Sequence, residues 1–82
     1  MSHFDTCLGI LRGLIDNGDP NAIPVAERAI DDYLEATPAA ARKSGLRLIQ
    51  QGVLNKHKAV VGVQRSFAET VNVYIEKRLA EK

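Results

Sequence analysis

The stretch AVVGVQRSFAETVNVYIEKRL, residues 59–79, decides the fold. Apolar side chains recur through it at intervals of three and four residues: Val60, Val63, Phe67, Val71 and Tyr74. Because an α-helix has 3.6 residues per turn, these side chains lie along one side of a helix. Val71–Ile75 also favours a strand by composition, but neither Gly nor Pro interrupts residues 63–79. The segment therefore predicts one long helix over Ala59–Leu79.

A second apolar line runs beside the first and consists of Val61, Ala68, Ile75 and Leu79. A helix on the surface of a globular domain usually carries a single apolar stripe, so two adjoining stripes indicate contacts on two sides. Those contacts lie either inside a bundle of the chain's own helices or across a subunit interface. The sequence leaves both interpretations open, and the second line is a candidate partner or dimer interface.

The composition is that of a single globular domain over residues 1–82. Apolar residues make up 45% of the chain and charged residues 26%, which excludes a disordered or fibrous protein. With no Trp, two Phe and two Tyr, the core depends on Leu, Ile, Val and Ala. Such a core is thin for a small domain, and association of copies is a common remedy. We therefore expect a homodimer.

The first half of the chain carries start and stop signals for two helices. Ser2 is a suitable N-cap for a helix that runs from about Ser2 or His3 to Asp16. Gly18 suits the left-handed position after its last turn. Pro24 has the fixed φ of a first helical position and opens the second helix. The core stripe expected on this second helix consists of Ala26, Ala29, Ile30, Tyr33 and Leu34.

The second half reads as two further helices. Thr37–Pro38 is a start signal, a hydroxyl followed by a first-turn proline, and opens a third helix over Pro38–Gln51. Gly52 is expected to end it, and Asn55 to cap the fourth helix. The alternative is one continuous kinked helix over residues 38–81. We predict an all-α fold, a small single-domain bundle of about four helices with mostly antiparallel neighbours, because short connections favour that arrangement.

Glycines occupy two helices in pairs. Gly9 and Gly13 lie four residues apart on the back of the first helix, where each costs about 1 kcal/mol relative to Ala. They are a second candidate interface, where another backbone approaches closely; the alternative is a tolerated local weakness. In the third helix, two small residues seven apart permit tight packing within the expected apolar face: Gly45, Leu48, Ile49, Gly52 and Val53.

A net charge of +1 conceals an uneven distribution of charge. Residues 1–41 contain seven acidic and two basic residues, and residues 42–82 contain nine basic and three acidic ones. The second helix has an acidic column of Glu27, Asp31 and Glu35, while the acid-free stretch 42–65 contains Arg42, Lys43, Arg47, Lys56, Lys58 and Arg65. We expect the two halves to pack with opposite charges facing, and the alternative is a free charged contact surface.

The sequence carries no recognisable catalytic constellation. His3 and Cys7 lie four apart on a helix, but two residues are only half of a tetrahedral metal site. Ser44, Ser66 and Thr70 have no His–carboxylate pair near them in the sequence, and no glycine-rich phosphate-binding loop follows a strand. We therefore expect neither an enzyme nor a cofactor-binding or metal-binding protein.

The remaining function classes are binding functions. We expect a small protein-interaction module, such as an adaptor, an inhibitor or an accessory regulator, that acts through helical surfaces on another protein. The alternative is a nucleic-acid-binding regulator that uses the basic stretch Arg42–Arg65. A single cysteine and the absence of a long apolar run favour a cytoplasmic protein without a membrane partner.

Overall fold

Four α-helices make up the fold of residues 2–81, the part of the chain that the computed structural model describes. They are α1 (His3–Asn17), α2 (Ile23–Ala36), α3 (Ala39–Ala59) and α4 (Gly62–Ala80), and a 3₁₀ turn over Pro20–Ala22 joins α1 to α2. The predicted all-α bundle is confirmed.

Local capping chemistry determines both ends of α1. The Ser2 hydroxyl accepts a hydrogen bond of 3.1 Å from the backbone N–H of Asp5. Gly18 ends the helix with φ 64°, and its N–H donates to the carbonyl of Leu14 at 3.0 Å. A left-handed residue at this position is common because glycine adopts it without a Cβ clash. Both predicted signals for α1 are confirmed.

The helices surround one core in the order α1, α2, α4, α3. The pairs α1/α2 and α3/α4 are antiparallel: Phe4, at the start of α1, stacks edge-on against Tyr33 near the end of α2, with ring centroids 6.4 Å apart. In contrast, α2 and α4 run in the same direction, since Ile23 lies near Phe67 and Asp31 binds Tyr74. Although α2 and α3 are consecutive, they lie diagonally opposite and contact each other least.

Both apolar lines of α4 fill this single core. Phe67 and Val71 come from the first line, and Ala68, Ile75 and Leu79 come from the second; all five are buried. Of the two interpretations that the sequence left open, the bundle interior is therefore the correct one for this part of α4. The candidate interface formed by Ala68, Ile75 and Leu79 is a misreading, because the chain's own helices already cover these side chains.

The start of α4 differs from the prediction in position and exposure. The helix begins at Gly62 rather than near Ala59, and the preceding backbone at Val60 and Val61 is extended. As a result Val61 is 75% exposed and Val63 is 68% exposed. Of the predicted interface line, only Val61 lies on the surface.

The third helix is longer than predicted and rotated. It continues through Gly52 and Asn55 to Ala59, so the predicted break at Gly52 and cap at Asn55 are wrong. Gly52 packs against Leu8 of α1: a Cβ there would lie 2.5 Å from Cδ1 of Leu8, so the leucine side chain would have to move. One continuous helix is also wrong, because Gly62, at φ 63°, starts a separate helix after the extended residues.

The buried side of α3 is formed by Leu46, Ile49 and Val53. Leu48, which the sequence placed on the apolar face, is 60% exposed. Leu46, Ile49 and Val53 follow one another at intervals of three and four residues, so they lie on one side of α3. This side faces the core in place of the predicted face that included Leu48.

The junction between α2 and α3 is also capped differently from the prediction. Pro38 takes the N-cap position of α3 without a side-chain cap. The Thr37 hydroxyl instead donates to a carbonyl of the preceding helix, that of Tyr33 in α2, at 2.6 Å. Arg42 Nε donates to the carbonyls of Leu34 and Thr37 at 2.7 and 3.0 Å. Thr37 and Arg42 therefore complete α2 rather than start α3, by supplying donors to its unpaired carbonyls.

Candidate functional site

The predicted basic stretch does not form one surface. Arg42 is held over the end of α2 by its two carbonyl contacts. Lys56 points towards α1, where its Nζ lies 2.5 Å from Oδ1 of Asp16. Arg65 belongs to α4, and its Nε lies 3.4 Å from Nε2 of His57. These three cations therefore take part in contacts between elements of the fold.

The other three cations share the outer side of α3. Lys43, Arg47 and Lys58 are exposed, and no ion pair of residues 2–81 includes them. Together with two uncharged residues, these cations form a row along one side of the helix, which we call the outer stripe of α3. It consists of Lys43, Arg47, Gln51, Leu54 and Lys58, which are separated by four, four, three and four residues. At 1.5 Å per residue the stripe is about 22 Å long.

Exposed leucines accompany these cations. Leu54 lies within the stripe and is 37% exposed, and Leu48 lies on its flank and is 60% exposed. Single exposed apolar residues are common on protein surfaces. Here Leu54 lies among the three cations, so the stripe offers both charge and apolar contact to one partner, and Leu48 adds a second exposed apolar side chain about 100° around the helix from Arg47.

Acidic residues near the outer stripe belong to α4 and are bound to α3. Gln50 Nε2 donates to Oδ1 of Asn72 at 3.0 Å and to Oε1 of Glu76 at 2.6 Å. Nε2 of His57 lies 3.0 Å from Oε1 of Glu69. These contacts tie α3 to α4 along the seam beside the stripe.

The acidic column of α2 is not a free surface along its whole length. Oδ1 of Asp31 accepts a hydrogen bond of 2.6 Å from the Tyr74 hydroxyl and also pairs with Nη1 of Arg78. Its basic partner, Arg78, belongs to the second half of the chain but lies outside the acid-free stretch 42–65. Glu27 is half-buried, while Glu35 is exposed.

Burial and the hydrogen bonds around Asp31 raise the pKa values of its two partners, Tyr74 and Arg78. Burial, followed by the hydrogen bond to Asp31, raises the pKa of the Tyr74 hydroxyl above its ordinary value. The hydrogen bond with Tyr74 is the main factor that raises the pKa of Arg78. The phenol and the guanidinium thus both retain their protons beside the carboxylate.

A hollow of about 380 Å³ lies where α2 ends, α3 begins and α4 ends. Its lining includes the cations Arg42, Lys43 and Arg78 and the carboxylates of Glu35 and Glu81. Since both signs of charge line it, and since Arg42 and Arg78 already have partners, the hollow favours neither an anionic nor a cationic ligand.

Cys7 belongs to the core. Its side chain is 3% exposed, and burial, with a smaller contribution from Asp32, raises the pKa of the thiol to about 11. A thiol held in its protonated form is a poor nucleophile and a poor metal ligand. Among residues 2–81, no group of three or more His, Cys, Asp or Glu side chains is placed to hold a metal ion.

The paired glycines of α1 lie on its exposed back. A Cβ at Gly9 or Gly13 would meet no atom within 4 Å, so no other part of residues 2–81 approaches this face. The close approach that the sequence suggested does not occur among residues 2–81.

In the part of the chain that the structure describes, no helix combines the length and the apolar character needed to cross a membrane.

Comparisons with models of known protein families, with characterised proteins and with solved structures find no match to this chain. The sequence analysis did not identify Leu54 within the stripe or exposed Leu48 beside it, and it did not identify the binding of Asp31 by Tyr74 and Arg78. A signal for Leu54 was present in its spacing from Arg47 and Lys58, but the binding of Asp31 depends on how α2 and α4 align.

Proposed function

We propose that this protein is a non-enzymatic interaction module of the cytoplasm, an adaptor, inhibitor or accessory regulator that binds an acidic helical segment of another protein. The observation that carries the proposal is the outer stripe of α3, in which Lys43, Arg47 and Lys58 have no acidic partner among residues 2–81. Cations left without partners along one helix attract a segment that carries acids at matching intervals.

The exposed leucines favour a protein segment over a purely charged ligand. A partner helix whose acids pair with Arg47 and Lys58 can place an apolar residue against Leu54, because Leu54 lies between these two cations on the stripe. Burial of an exposed leucine contributes up to about 2 kcal/mol, whereas an exposed ion pair contributes about 0–1 kcal/mol. The apolar contacts therefore supply affinity, and the cations supply orientation and rate of association.

The expected affinity is modest. Three exposed ion pairs and two partly exposed leucines contribute at most about 7 kcal/mol. Association costs several kcal/mol of lost translational and rotational freedom, so we expect a Kd on the order of 1 mM. Binding of this strength is transient and suits a regulator that samples its partner. A longer partner that also contacts neighbouring helices would bind more tightly.

Nucleic acid is the less favoured ligand. Of the six basic residues in the stretch 42–65, Arg42 and Lys56 are used inside the fold, and Arg65 lies on another helix. Three phosphate contacts would give a salt slope of at most about −2.7. The two leucines would add nothing to phosphate binding.

The test is the binding of a fluorescently labelled acidic helical peptide, followed by anisotropy. Its glutamates and leucines are spaced to match the stripe, and a second peptide of the same composition has its glutamates moved around the helix. We expect the matched peptide to bind more tightly, and Arg47→Glu to weaken it at least about tenfold through like-charge repulsion. Arg28→Glu is the matched control, since Arg28 is an exposed cation on α2.

Two further measurements separate the alternatives. Leu48→Ser and Leu54→Ser should each weaken peptide binding without changing its dependence on salt, because they remove apolar contact only. Equal binding of both peptides, or equal effects of Arg47→Glu and Arg28→Glu, would refute the proposal. If duplex DNA binds more tightly than the matched peptide, the stripe is a nucleic-acid-binding surface, as in the alternative function.

A further inference from the structure

The connection between α3 and α4 is short and largely exposed. It consists of Val60 and Val61, whose backbones are extended, and Gly62 then begins α4 with φ 63°. Val61 is 75% exposed, and a Cβ at Gly62 would meet no other part of residues 2–81 within 4 Å. The reversal of the chain therefore depends on the left-handed backbone of Gly62, which a residue with a Cβ adopts only at a cost.

The apolar sides of α3 and α4 are in phase across this connection. Val53 of α3 and Phe67 of α4 are both buried, and half-buried Val60 lies seven residues from each of them. Seven residues are close to two turns of an α-helix. A helix that continued through the connection would therefore place all three side chains on one side, with Val63 beside them. The chain can thus form one helix over residues 39–80 with a single apolar side.

We propose that the connection is a hinge through which two copies of the chain exchange α4, and that Gly62 favours the closed form of the single chain. In the exchanged dimer, each copy has one helix over residues 39–80, about 63 Å long. Its α4 half packs into the bundle of the other copy. Because α3 and α4 are antiparallel in the closed chain, the two long helices lie side by side in opposite directions, related by a two-fold axis near the hinge.

The exchanged contact is extensive because it is the core contact of the fold itself. The side of α4 that is exchanged carries five buried side chains: Phe67, Ala68, Val71, Ile75 and Leu79. Polar contacts of α4 with α3, such as the 3.0 Å hydrogen bond from Gln50 to Asn72, also form again between the copies. The dimer therefore needs no surface beyond the one that each chain already buries.

The balance between the two forms depends on concentration. A short connection holds α4 at an effective concentration in the millimolar range, so the closed chain prevails in dilute solution. The outer stripe of α3 lies on the side of the helix opposite Val53 and Val60 and stays exposed in both forms. This inference therefore does not depend on the proposed function.

Gly62→Ala tests the hinge, because alanine disfavours the left-handed backbone of the closed form and favours the continuous helix. We expect the dissociation constant of the dimer to fall by at least about 100-fold. At about 50 µM, light scattering should then give the mass of two chains for this variant and of one for the natural chain. Gly9→Ala is the matched control: it makes the same change within a helix, where the new Cβ meets no atom within 4 Å, and it should stay a single chain.

Cross-linking shows whether α4 packs against its own α3 or against that of the other copy. Gln50→Cys and Asn72→Cys in one chain place two thiols at a contact between α3 and α4, where a short bismaleimide can join them. The link stays within one chain in the closed form. In the exchanged dimer it joins two chains, which then migrate as a covalent dimer on a denaturing gel. The natural chain, whose single thiol on Cys7 is buried, is the blank.

The natural hinge gives a test that does not require Gly62→Ala to fold. The cross-linking variant with Gly62 intact is refolded from urea at about 1 µM or about 500 µM, because exchange competes with closure only near the effective concentration of α4. Both samples are brought to about 1 µM just before the reagent is added, and α4 leaves the core slowly enough for dimers to persist. We expect covalent dimers only from the concentrated sample.

Three results would overturn the proposal. The first is the absence of covalent dimers after refolding at about 500 µM. The second is a folded Gly62→Ala chain that stays single at that concentration or that forms dimers whose cross-links all lie within one chain. The third is a Gly9→Ala chain that dimerises as strongly as Gly62→Ala, since the left-handed backbone would then have no part in the exchange.

Discussion

The hydroxyl of Tyr74 donates a hydrogen bond of 2.6 Å to Oδ1 of Asp31, and it is the contact that joins α4 to α2 across their polar edge. Arg78, one turn further along α4, binds the same carboxylate oxygen. A single acid of the first half of the chain thus receives two donors from the second half. These contacts hold Tyr74 and Arg78 beside Asp31 in the same alignment of α2 and α4 that buries Phe67 and Ile75 in the core.

Tyr74→Phe should lower the free energy of unfolding at neutral pH by about 1–2 kcal/mol, the net value of the two hydrogen bonds that the hydroxyl makes with Asp31 and Arg78. The ring continues to pack, and Arg78 still pairs with Asp31, so only the hydrogen bonds of the hydroxyl are lost. Urea unfolding of the two chains at pH 7 measures the difference. A variant as stable as the natural chain would show that the hydroxyl contact adds nothing to the α2–α4 pairing.

The same contact predicts a dependence on alkaline pH. Because folding raises the pKa of Tyr74, the folded state favours the protonated phenol. Its contribution to stability is complete below the unfolded pKa, near 10, and is lost as the pH rises through the folded value. Above about pH 10, the stability difference between the natural chain and Tyr74→Phe should therefore shrink. A difference that grows with pH would contradict the assigned direction.

The sequence predicts the ends of α1 and the start of α2 well because their signals are local. Ser2 needs only the N–H of Asp5, and Gly18 needs only the carbonyl of Leu14. Gly52 could not be interpreted in the same way. Its place inside α3 depends on Leu8, which lies forty-four residues earlier in the chain and needs the space.

The candidate site shows the same division. The cations of α3 were identified from the sequence, but the sequence did not show which of them are free to bind a partner. Lys56 is already paired with Asp16 of α1, and Arg42 already donates to a carbonyl at the end of α2. The rotation of α3 also decided whether Leu48 was buried or exposed. Each of these outcomes depends on contacts between residues that are distant in sequence.

Glycine substitutions should separate exposed from packed positions. Gly9→Ala and Gly13→Ala should each raise the free energy of unfolding by up to about 1 kcal/mol, since alanine favours the helix and the new methyl group meets no atom within 4 Å. Gly45→Ala should lower it, because a Cβ there would overlap the hydroxyl of buried Tyr33.

Thermal unfolding of the three glycine variants measures this contrast. The decisive comparison is between Gly45→Ala and Gly9→Ala, which make the same chemical change in a helix. If Gly45→Ala were stabilised as much as Gly9→Ala, Tyr33 would not lie against Gly45.

The thiol of Cys7 should react slowly in the folded chain. Its pKa is raised to about 11 by burial and by Asp32, so little thiolate is present near pH 8. We expect labelling by a disulfide reagent at pH 8 to be at least about 100-fold slower than in the urea-unfolded chain, because the buried thiol must first become accessible. Rapid labelling of the folded chain would show that the α1 face around Cys7 opens easily.

The most direct test of the account is to locate where the matched acidic peptide binds, by following the backbone amide signals of isotope-labelled protein as peptide is added. The account predicts that the shifted signals cluster along the outer stripe of α3, at residues 43–58, and that those of Val25 and Asp32 on α2 stay unchanged. The shifts should disappear in Arg47→Glu and persist in Arg28→Glu. Shifts centred on another helix, or none at peptide concentrations of about 1 mM, would contradict the account.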